Sequence, residues 1–466
     1  MLVMKFGGTS VGGGRQLRGV AAIVARHREE RPVVVASAMR GVTDLLLNVA
    51  GAAAGGNRKA VRAALRELRE RHFAAIEEAL DEPANRQEVH REVAGRLAQL
   101  RRSLTGVMLL GELSPRSRDR IAGWGEGCLV PILAGVLREQ GIPAQVVGGE
   151  RVIVSDDRPR RRPLAPAGGV GRGAGRQRLR GGDAGGVQTI LGRGASDFSA
   201  SILGYALDAR EVWIWTDVNG VLTADPGLVR NARPIPQLSY AEAAELSYFG
   251  AKVIHPRTMV PASSKGIPIR ILNTFEPDFP GTLITTVPAP RDTAVRAITS
   301  IGKATLITVE GAGLVGGPRI VARACNVLAA SDANILLLSQ SSSEHNVCFV
   351  VPAEAGERLR VGLEAEFAVE LARGELSSVS VERSVCILAT VGAGMRGVPG
   401  VAGRVFATLG AHNCNILAIA QGGSELNISC VLQASDEALA MRVLHDELIG
   451  AGSAAALAPQ PAGVAD

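Results

Sequence analysis

This chain is short of long apolar runs, of aromatic residues and of paired cysteines. No uninterrupted apolar stretch reaches the ~18–20 residues that a membrane-spanning helix needs, so no membrane role is expected. Aromatic residues make up 3% of the 466 positions, too few to build stacking platforms for single-stranded nucleic acid. The six cysteines (Cys128, Cys325, Cys348, Cys386, Cys414 and Cys430) contain no C-x-x-C spacing. Zinc is therefore not expected, and their apolar surroundings suit reduced, buried thiols in a cytoplasmic protein. No basic, then apolar, leader follows Met1, and no P-loop of the form G-x-x-x-x-G-K-[ST] occurs.

The net charge of +6 invites a nucleic-acid reading, but its source argues against one. Residues 158–183 hold eight arginines, no lysine and one acid, Asp183, which is a local charge of +7. The remainder of the chain nets −1, so no basic face spreads over the fold and no nucleic-acid partner is expected.

What is present points to an α/β protein followed by a repeat. Over the first ~285 residues short β-branched runs alternate with helical patterns, as crossover connections require. Val33–Ser37, Ala144–Val147, Glu211–Trp215 and Ile267–Leu272 read as strands. Ala60–Leu80, the Val89–Leu104 stretch, Ile132–Arg138 and Phe198–Leu207 read as helices. Residues 287–300 are expected to link this part to two similar units, 301–380 and 381–450. A shift of 81 positions superposes them without a gap. Gly311-Ala-Gly313 meets Gly392-Ala-Gly394, Asn334 meets Asn415, Gln340 meets Gln421, and Asn346 meets Asn427. Each unit reads as a small βαββαβ module. Residues 451–466, rich in Ala, Pro and Gly, are expected to be a disordered tail.

Several segments carry chemistry. Lys5-Phe-Gly7-Gly8-Thr-Ser10 places a cation at the end of a strand, beside glycines able to bare backbone N–H groups to a polyphosphate. Gly192-Arg193-Gly194-Ala195-Ser196-Asp197 opens an apolar helix, where the dipole favours an anion. Asp197 reads equally as a charge partner of the helix terminus, and Arg193 as a solvated loop residue. Gly125-Glu126 offers a carboxylate at a helix start, open to a burial or capping role. In Trp215-Thr216-Asp217-Val-Asn-Gly220 the acid also suits an ordinary turn. Phe249-Gly-Ala-Lys252-Val-Ile-His255-Pro256 carries a lysine, and its His255 reads as structural.

Together with Ser37-Ala-Met-Arg-Gly-Val-Thr43, these motifs stand in the order seen in aspartate kinases. The chain resembles that family over about 1–157 and 186–450, including the paired ACT modules. The second half is most similar to the aspartokinase portion of bifunctional aspartokinase–homoserine dehydrogenases. The resemblance implies an amino-acid-kinase three-layer sandwich with a mainly parallel sheet over 1–286, then two ACT modules. It implies transfer of the γ-phosphoryl of ATP, with Mg2+, to the β-carboxylate of L-aspartate. By motif position, Lys5 should face the transferring phosphate, with Gly7 and Gly8 supplying N–H groups. Arg193, Glu126 and Thr43 should hold the amino acid, and Ser196 and Asp197 should orient it. Thr216, Asp217 and Lys252 should line the nucleotide site. The paired modules imply a homodimer and an amino-acid effector, with Asn334, Gln340, Asn415 and Gln421 as contacts. Threonine is favoured over lysine, because Leu338 stands where lysine-responsive members carry an acid.

The chain also departs from that pattern. Ala195, Leu222, Gly227 and Leu129 replace residues common in the family. Residues 158–185 show neither helical period nor strand where the family continues with a helix and a central apolar strand. A pair of compensating frameshifts accounts for such an Arg/Gly/Pro/Ala stretch, and a natural insertion is the alternative. Rival functions are a catalytically impaired amino-acid sensor and another kinase of the same fold, such as a glutamate or carbamate kinase.

Overall fold

A computed structural model describes residues 1–149, 152–155, 163–166, 181–182, 188–189, 195–250, 254–287, 293–311, 317–331, 333–340 and 346–450. The chain divides into two compact units. One comprises Met1–Val221, Pro236–Tyr240 and Val253–Pro288, and the other comprises Leu222–Ile235, Ala241–Lys252 and Ala289–Asp466.

The first unit opens with β1 (Leu2–Phe6), α1 (Gly14–Arg26) and β2 (Val33–Ala36). Five helices follow: α2 (Val42–Ala54), α3 (Arg58–Ala79), α4 (Pro83–Leu110), α5 (Pro115–Ala122) and α6 (Trp124–Glu139). Asn57 caps α3 by accepting from Ala60 N–H, and Val61, Ala64, Leu68, Ala75, Ile76 and Ala79 form its buried stripe. α4 starts on Pro83 and stops at Gly111, whose φ of 66° is the left-handed stop glycine favours. Together α5 and α6 span Pro115–Glu139, long enough to cross a bilayer, yet 89% of the most apolar 18-residue window in that span is buried inside the protein, as in a core helix.

Four short strands come next: β3 (Ile153–Ser155), β4 (Pro163–Pro166), β5 (Gly181–Gly182) and β6 (Gln188–Thr189), in the order β4-β3-β5-β6. Two of them fall inside 158–185, where no strand is expected; the rest of that stretch lies outside the described residues. Then come α7 (Ala195–Ala206), β7 (Glu211–Thr216), β8 (Gln237–Ser239), α8 (Tyr240–Tyr248), α9 (Pro256–Ser264), β9 (Ile269–Asn273) and β10 (Thr282–Thr285). His255, as its sequence setting suggests, is structural: it caps α9 by accepting from Arg257 N–H at 3.2 Å.

The main sheet has the order β2-β1-β7-β9-β10-β8. β2, β1, β7 and β9 run parallel, while β10 is antiparallel to β9 and parallel to β8. All five residues of β1 are buried, as a central parallel strand covered on both faces must be. Leu2, Met4 and Phe6 join Leu17, Val24, Leu46, Leu68, Leu100 and Leu133 in one core. Ala144–Val147 is not the strand its sequence suggests. It carries no ladder, and Ala144, Gln145 and Val146 instead wall a small apolar cavity with Val34, Val130 and Leu133. β2 is fully buried but, among the described residues, pairs with β1 alone.

The second unit is built on β11 (Ala297–Glu310), α10 (Gly317–Ala330), β12 (Leu337–Gln340), β13 (Asn346–Pro352), α11 (Ala353–Glu366) and α12 (Ala368–Arg373). It continues through β14 (Ser378–Val391), α13 (Val401–Ala411), β15 (Ala418–Ala420), β16 (Asn427–Gln433) and α14 (Glu437–Leu448). The sheet order is β12-β13-β11-β14-β16-β15. Its two long strands are each divided between the modules. Ala304–Glu310 of β11 pairs with β13, and Leu306–Glu310 pairs with Ser378–Glu382 of β14, whereas Ala297–Ile301 pairs with Ile387–Val391. The cores follow the same division: Ile307 and Val309 belong with Phe349 and Leu363, and Ile298 belongs with Leu388, Cys430 and Leu444. The first module therefore sits inside the second in sequence, and the second takes one edge strand, Ala297–Ile301, from residues read as linker and from the first residue read as the first module. The expected disordered tail, 451–466, lies outside the described residues.

All six cysteines are free; Cys128, Cys386, Cys414 and Cys430 are buried, and Cys325 and Cys348 are partly exposed. Burial pushes the Cys386 and Cys430 thiols up to about 12.

Candidate active site

Strand order places a site before any side chain does. β1 has β2 on one side and β7 on the other, so the chain leaves it first in one direction and later in the opposite one. In an open parallel sheet that reversal opens a crevice at the carboxyl ends of the strands. Lys5 and the Gly7–Gly8 turn stand at that end of β1.

The turn is held tightly. Gly7 N–H donates to Trp215 O at 3.1 Å, and Arg40 N–H donates to Gly8 O at 3.2 Å. A Cβ on Gly8 would lie 2.9 Å from Ala38 O, so only glycine lets this turn approach the loop after β2. Lys5 folds back over the turn, its Nζ 3.6 Å from where a Gly7 Cβ would sit. The expectation that both glycines offer donors needs correcting. Gly7 N–H is engaged in the sheet, whereas Gly8 N–H makes no hydrogen bond within the described residues.

The first turn of α7 supplies the opposing groups. Lys5 Nζ lies 2.5 Å from Asp197 Oδ1, with side chains only 9% and 15% exposed. Ser196 Oγ is 2.8 Å from Ser37 Oγ at the end of β2. The ends of three elements far apart in sequence thus meet in one cluster. On the neighbouring strand Thr216 Oγ1 donates to Asp217 Oδ1 at 3.2 Å, and Asp217 is exposed. Thr274 N–H, just past β9, donates to Thr216 O at 2.9 Å, and its hydroxyl lies 2.7 Å from that of Ser10.

Glu126 and Thr43 stand on the helices beside the β2 loop. A Cβ on Gly125 would lie 2.8 Å from Ala38 Cβ, so the start of α6 packs directly on that loop. Glu126, in this first turn, is half-buried and has a partner. Thr43 is exposed in the first turn of α2. Arg193 and Lys252 lie outside the described residues. Motif reading left Ser37, Ser10 and Thr274 without roles; the first two sit inside the quoted motifs, and only their pairing was invisible. In the second unit Asn334, Gln340, Asn415 and Gln421 are all exposed. Ser339 Oγ donates to Ile419 O at 2.9 Å, which joins β12 to β15.

A strand-end lysine over a glycine turn, paired with the acid of a helix start at the sheet's reversal point, agrees with a family match to amino acid kinases over residues 1–273. The chain belongs to the amino acid kinase family. ACT domains match at 307–367 and 388–448, and the parallel-rich sheet followed by two ACT modules is the fold the motifs imply. The chain is 36% identical over 469 residues to the chloroplastic bifunctional aspartokinase/homoserine dehydrogenase 1 of Zea mays, covering 95% of itself and 50% of that protein. It is 29% identical over 490 residues to the chloroplastic aspartokinase 1 of Arabidopsis thaliana, covering 98% of itself and 82% of that protein. This amino acid kinase thus spans about half the length of the bifunctional relatives it matches. Among solved structures, E. coli aspartokinase III in complex with aspartate and ADP superposes with a TM-score of 0.78 at 27% identity, covering 96% of this chain and all of that one. The same E. coli enzyme with lysine and aspartate gives 0.77 at 28% identity, over 96% and 99%.

Proposed function

We propose that this amino acid kinase is an aspartate kinase, transferring the γ-phosphoryl of ATP to the β-carboxylate of L-aspartate and regulated by an amino acid. The observation that carries the reading is the Lys5–Asp197 pair over the Gly7–Gly8 turn at the reversal of strand order. A carboxylate acceptor is ionised at pH 7, so the reaction needs no general base. Its barrier is the approach of two anions and the charge spread over a loose transition state. Lys5 supplies a fixed cation for that charge. Gly8 supplies an N–H, and the absence of a Cβ there leaves the backbone open to a phosphate. Asp197 holds the ammonium of Lys5 in place, and the Ser37–Ser196 hydroxyl pair keeps the first turn of α7 against β2. Arg193 is assigned the α-carboxylate of aspartate, Glu126 its ammonium, and Thr43 a supporting contact. Thr216, Asp217 and Lys252 are assigned the nucleotide side.

The donor set fits Mg2+ carried on phosphate. Among the described residues no group of three or more His, Cys, Asp or Glu is gathered to form a protein cage, and Mg2+ bound with a nucleotide needs only one or two carboxylates. Asp197 and Asp217 would hold it. When bound, the ion neutralises phosphate charge.

The regulatory reading places effector contacts at Asn334, Gln340, Asn415 and Gln421, with threonine favoured over lysine, in a homodimer joined through the ACT modules. Its support is that Gln340 ends β12 and Gln421 directly follows β15, two strands that Ser339 joins. The protein is assigned to the cytoplasm and to the branch of metabolism that leads to lysine, threonine and methionine. A second reading, an amino-acid sensor with impaired catalysis, is favoured by one observation: β2 is buried yet has a single ladder partner among the described residues.

A hydroxylamine trap separates the two readings. With ATP, Mg2+ and L-aspartate, an aspartate kinase accumulates aspartyl hydroxamate, and added threonine lowers the yield more than lysine does. Amino-acid binding with no hydroxamate overturns the catalytic reading and leaves the sensor. Product insensitive to both amino acids overturns the regulatory assignment alone.

A further inference from the structure

The glycine turn of the second ACT module holds a carboxylate belonging to the chain itself. Gly392-Ala393-Gly394 follows β14 and is the sequence counterpart, 81 positions on, of Gly311-Ala-Gly313. Strand register makes the equivalence structural. Asn346 pairs with Glu310 and Asn427 with Val391, in each case the residue just before the first glycine of the repeat. A Cβ on Gly392 would fall 2.2 Å from Ala294 O, and one on Gly394 would fall 2.9 Å from Ala294 Cα. The turn is therefore pressed onto the backbone that leads into β11. Arg296 N–H, on that backbone, donates to Val391 O at 2.7 Å.

Into this corner α8 brings two acids. Ala393 N–H donates to Glu242 Oε1 at 2.9 Å, and Arg296 Nε lies 3.5 Å from the same oxygen. Glu242 is 0% exposed and Arg296 9%. Among the described residues Arg296 Nε is buried without a hydrogen bond and Nη1 donates only to Thr293, so the Glu242 carboxylate is the anion set against its charge. One turn further along α8, Glu245 accepts from Asn427 Nδ2. Residues three apart share a helical face, so one face of α8 serves both contacts.

The geometry points to a carboxylate-binding site in the second module, made of Ala393 N–H and the Arg296 guanidinium and occupied in cis by Glu242. Its ligand class is a small carboxylate, the group every free amino acid carries. A buried carboxylate is tolerated only with a cation and a donor supplied together, and this corner provides both. Because α8 is part of the same chain, Glu242 is present at a high effective concentration that a free carboxylate does not match. The glycine turn of the second module is thereby closed to free carboxylates while α8 stays in place. This inference does not depend on the reaction catalysed.

Glu242→Ala in the full chain leaves the site empty and its cation unanswered. The measurement is the melting temperature in acetate and in chloride at equal ionic strength. The variant is expected to melt below the parent and to recover about half of the loss in acetate, by ordinary binding linkage, while the parent responds equally to both salts. Glu242→Gln, which fills the space, is expected to ignore acetate. A Glu242→Ala protein that responds equally to acetate and chloride, or that melts with the parent, overturns the proposal. If Glu242→Ala does not fold, the double variant Glu242→Ala/Arg296→Met removes the stranded cation. Recovery of the fold then supports the site, and continued failure overturns it.

Discussion

Lys5 is a cation that the fold has already paired, and this sets what its removal does. Lys5→Ala strands the Asp197 carboxylate in a setting only 15% exposed, which costs about 1–3 kcal/mol of stability. It also removes the charge assigned to the phosphate, so turnover should fall by at least ~100-fold. Steady-state kinetics beside a urea titration separate the two effects, and near-normal turnover refutes the role. A buried histidine makes a second prediction. His72 is 0% exposed in α3, 2.6 Å from Leu68 O, and burial holds its pKa below the ordinary 6.5. The unfolded chain then binds the proton more readily than the folded one. The associated stability is complete above 6.5 and is lost as pH falls through the lower folded value. Melting temperature should drop on acidification from pH 7 towards 5, and His72→Leu should flatten that slope; an unchanged slope removes His72 from the account. The motif residues were legible in sequence because, although each alone also suits a turn or a cap, their order along the chain is shared with the family. The pairing of Ser37 with Ser196 was not, since 159 positions separate them.

At the level of elements, the turn after β1 and the loop after β2 behave as one piece. Gly8→Ala drives a Cβ to 2.9 Å from Ala38 O, so the two loops must separate. Destabilisation of about 1–3 kcal/mol is expected, with a higher KM for ATP than the parent. Unchanged KM and melting temperature would mean that the turn shifts without consequence. Helices were the easiest elements to read, because α3 and α4 repeat their apolar residues every three or four positions. Ala144–Val147 shows why short apolar runs mislead: alternation suits a strand, but a strand exists only if a neighbour offers a ladder. Among the described residues none does.

Across the whole molecule, the two ACT modules are not separable where their repeat divides. A fragment beginning at residue 302 lacks Ala297–Ile301, which lie against Ile387–Val391 as the outer strand of the second module. It also loses Ile298 from the core around Leu388 and Leu444. Fragment 302–450 should give poorly dispersed amide spectra, and 293–450 should improve them; equal spectra would mean the second module folds without that strand. Thiol chemistry tests the same interior. With Cys386 and Cys430 pushed up to about 12 by burial, and four of six cysteines buried, no more than two thiols should react quickly with a disulfide reagent before unfolding, and all six after it.

Local chemistry by itself determined much here: which segments are helices, where glycine turns follow strands, that two modules repeat, and which side chains carry charge at element ends. These are properties of neighbours in the chain, set by periodicity and by the few residues that suit a turn. Tertiary structure alone decided the rest. It put Lys5 on Asp197, made Gly7 a sheet donor, left Gly8 N–H without a partner among the described residues, lent the start of β11 to the second module, and buried Glu242 beneath Ala393. Each of those outcomes depends on groups far apart in the chain competing for the same donor, charge or ladder edge, and that competition is resolved only once the chain has closed on itself.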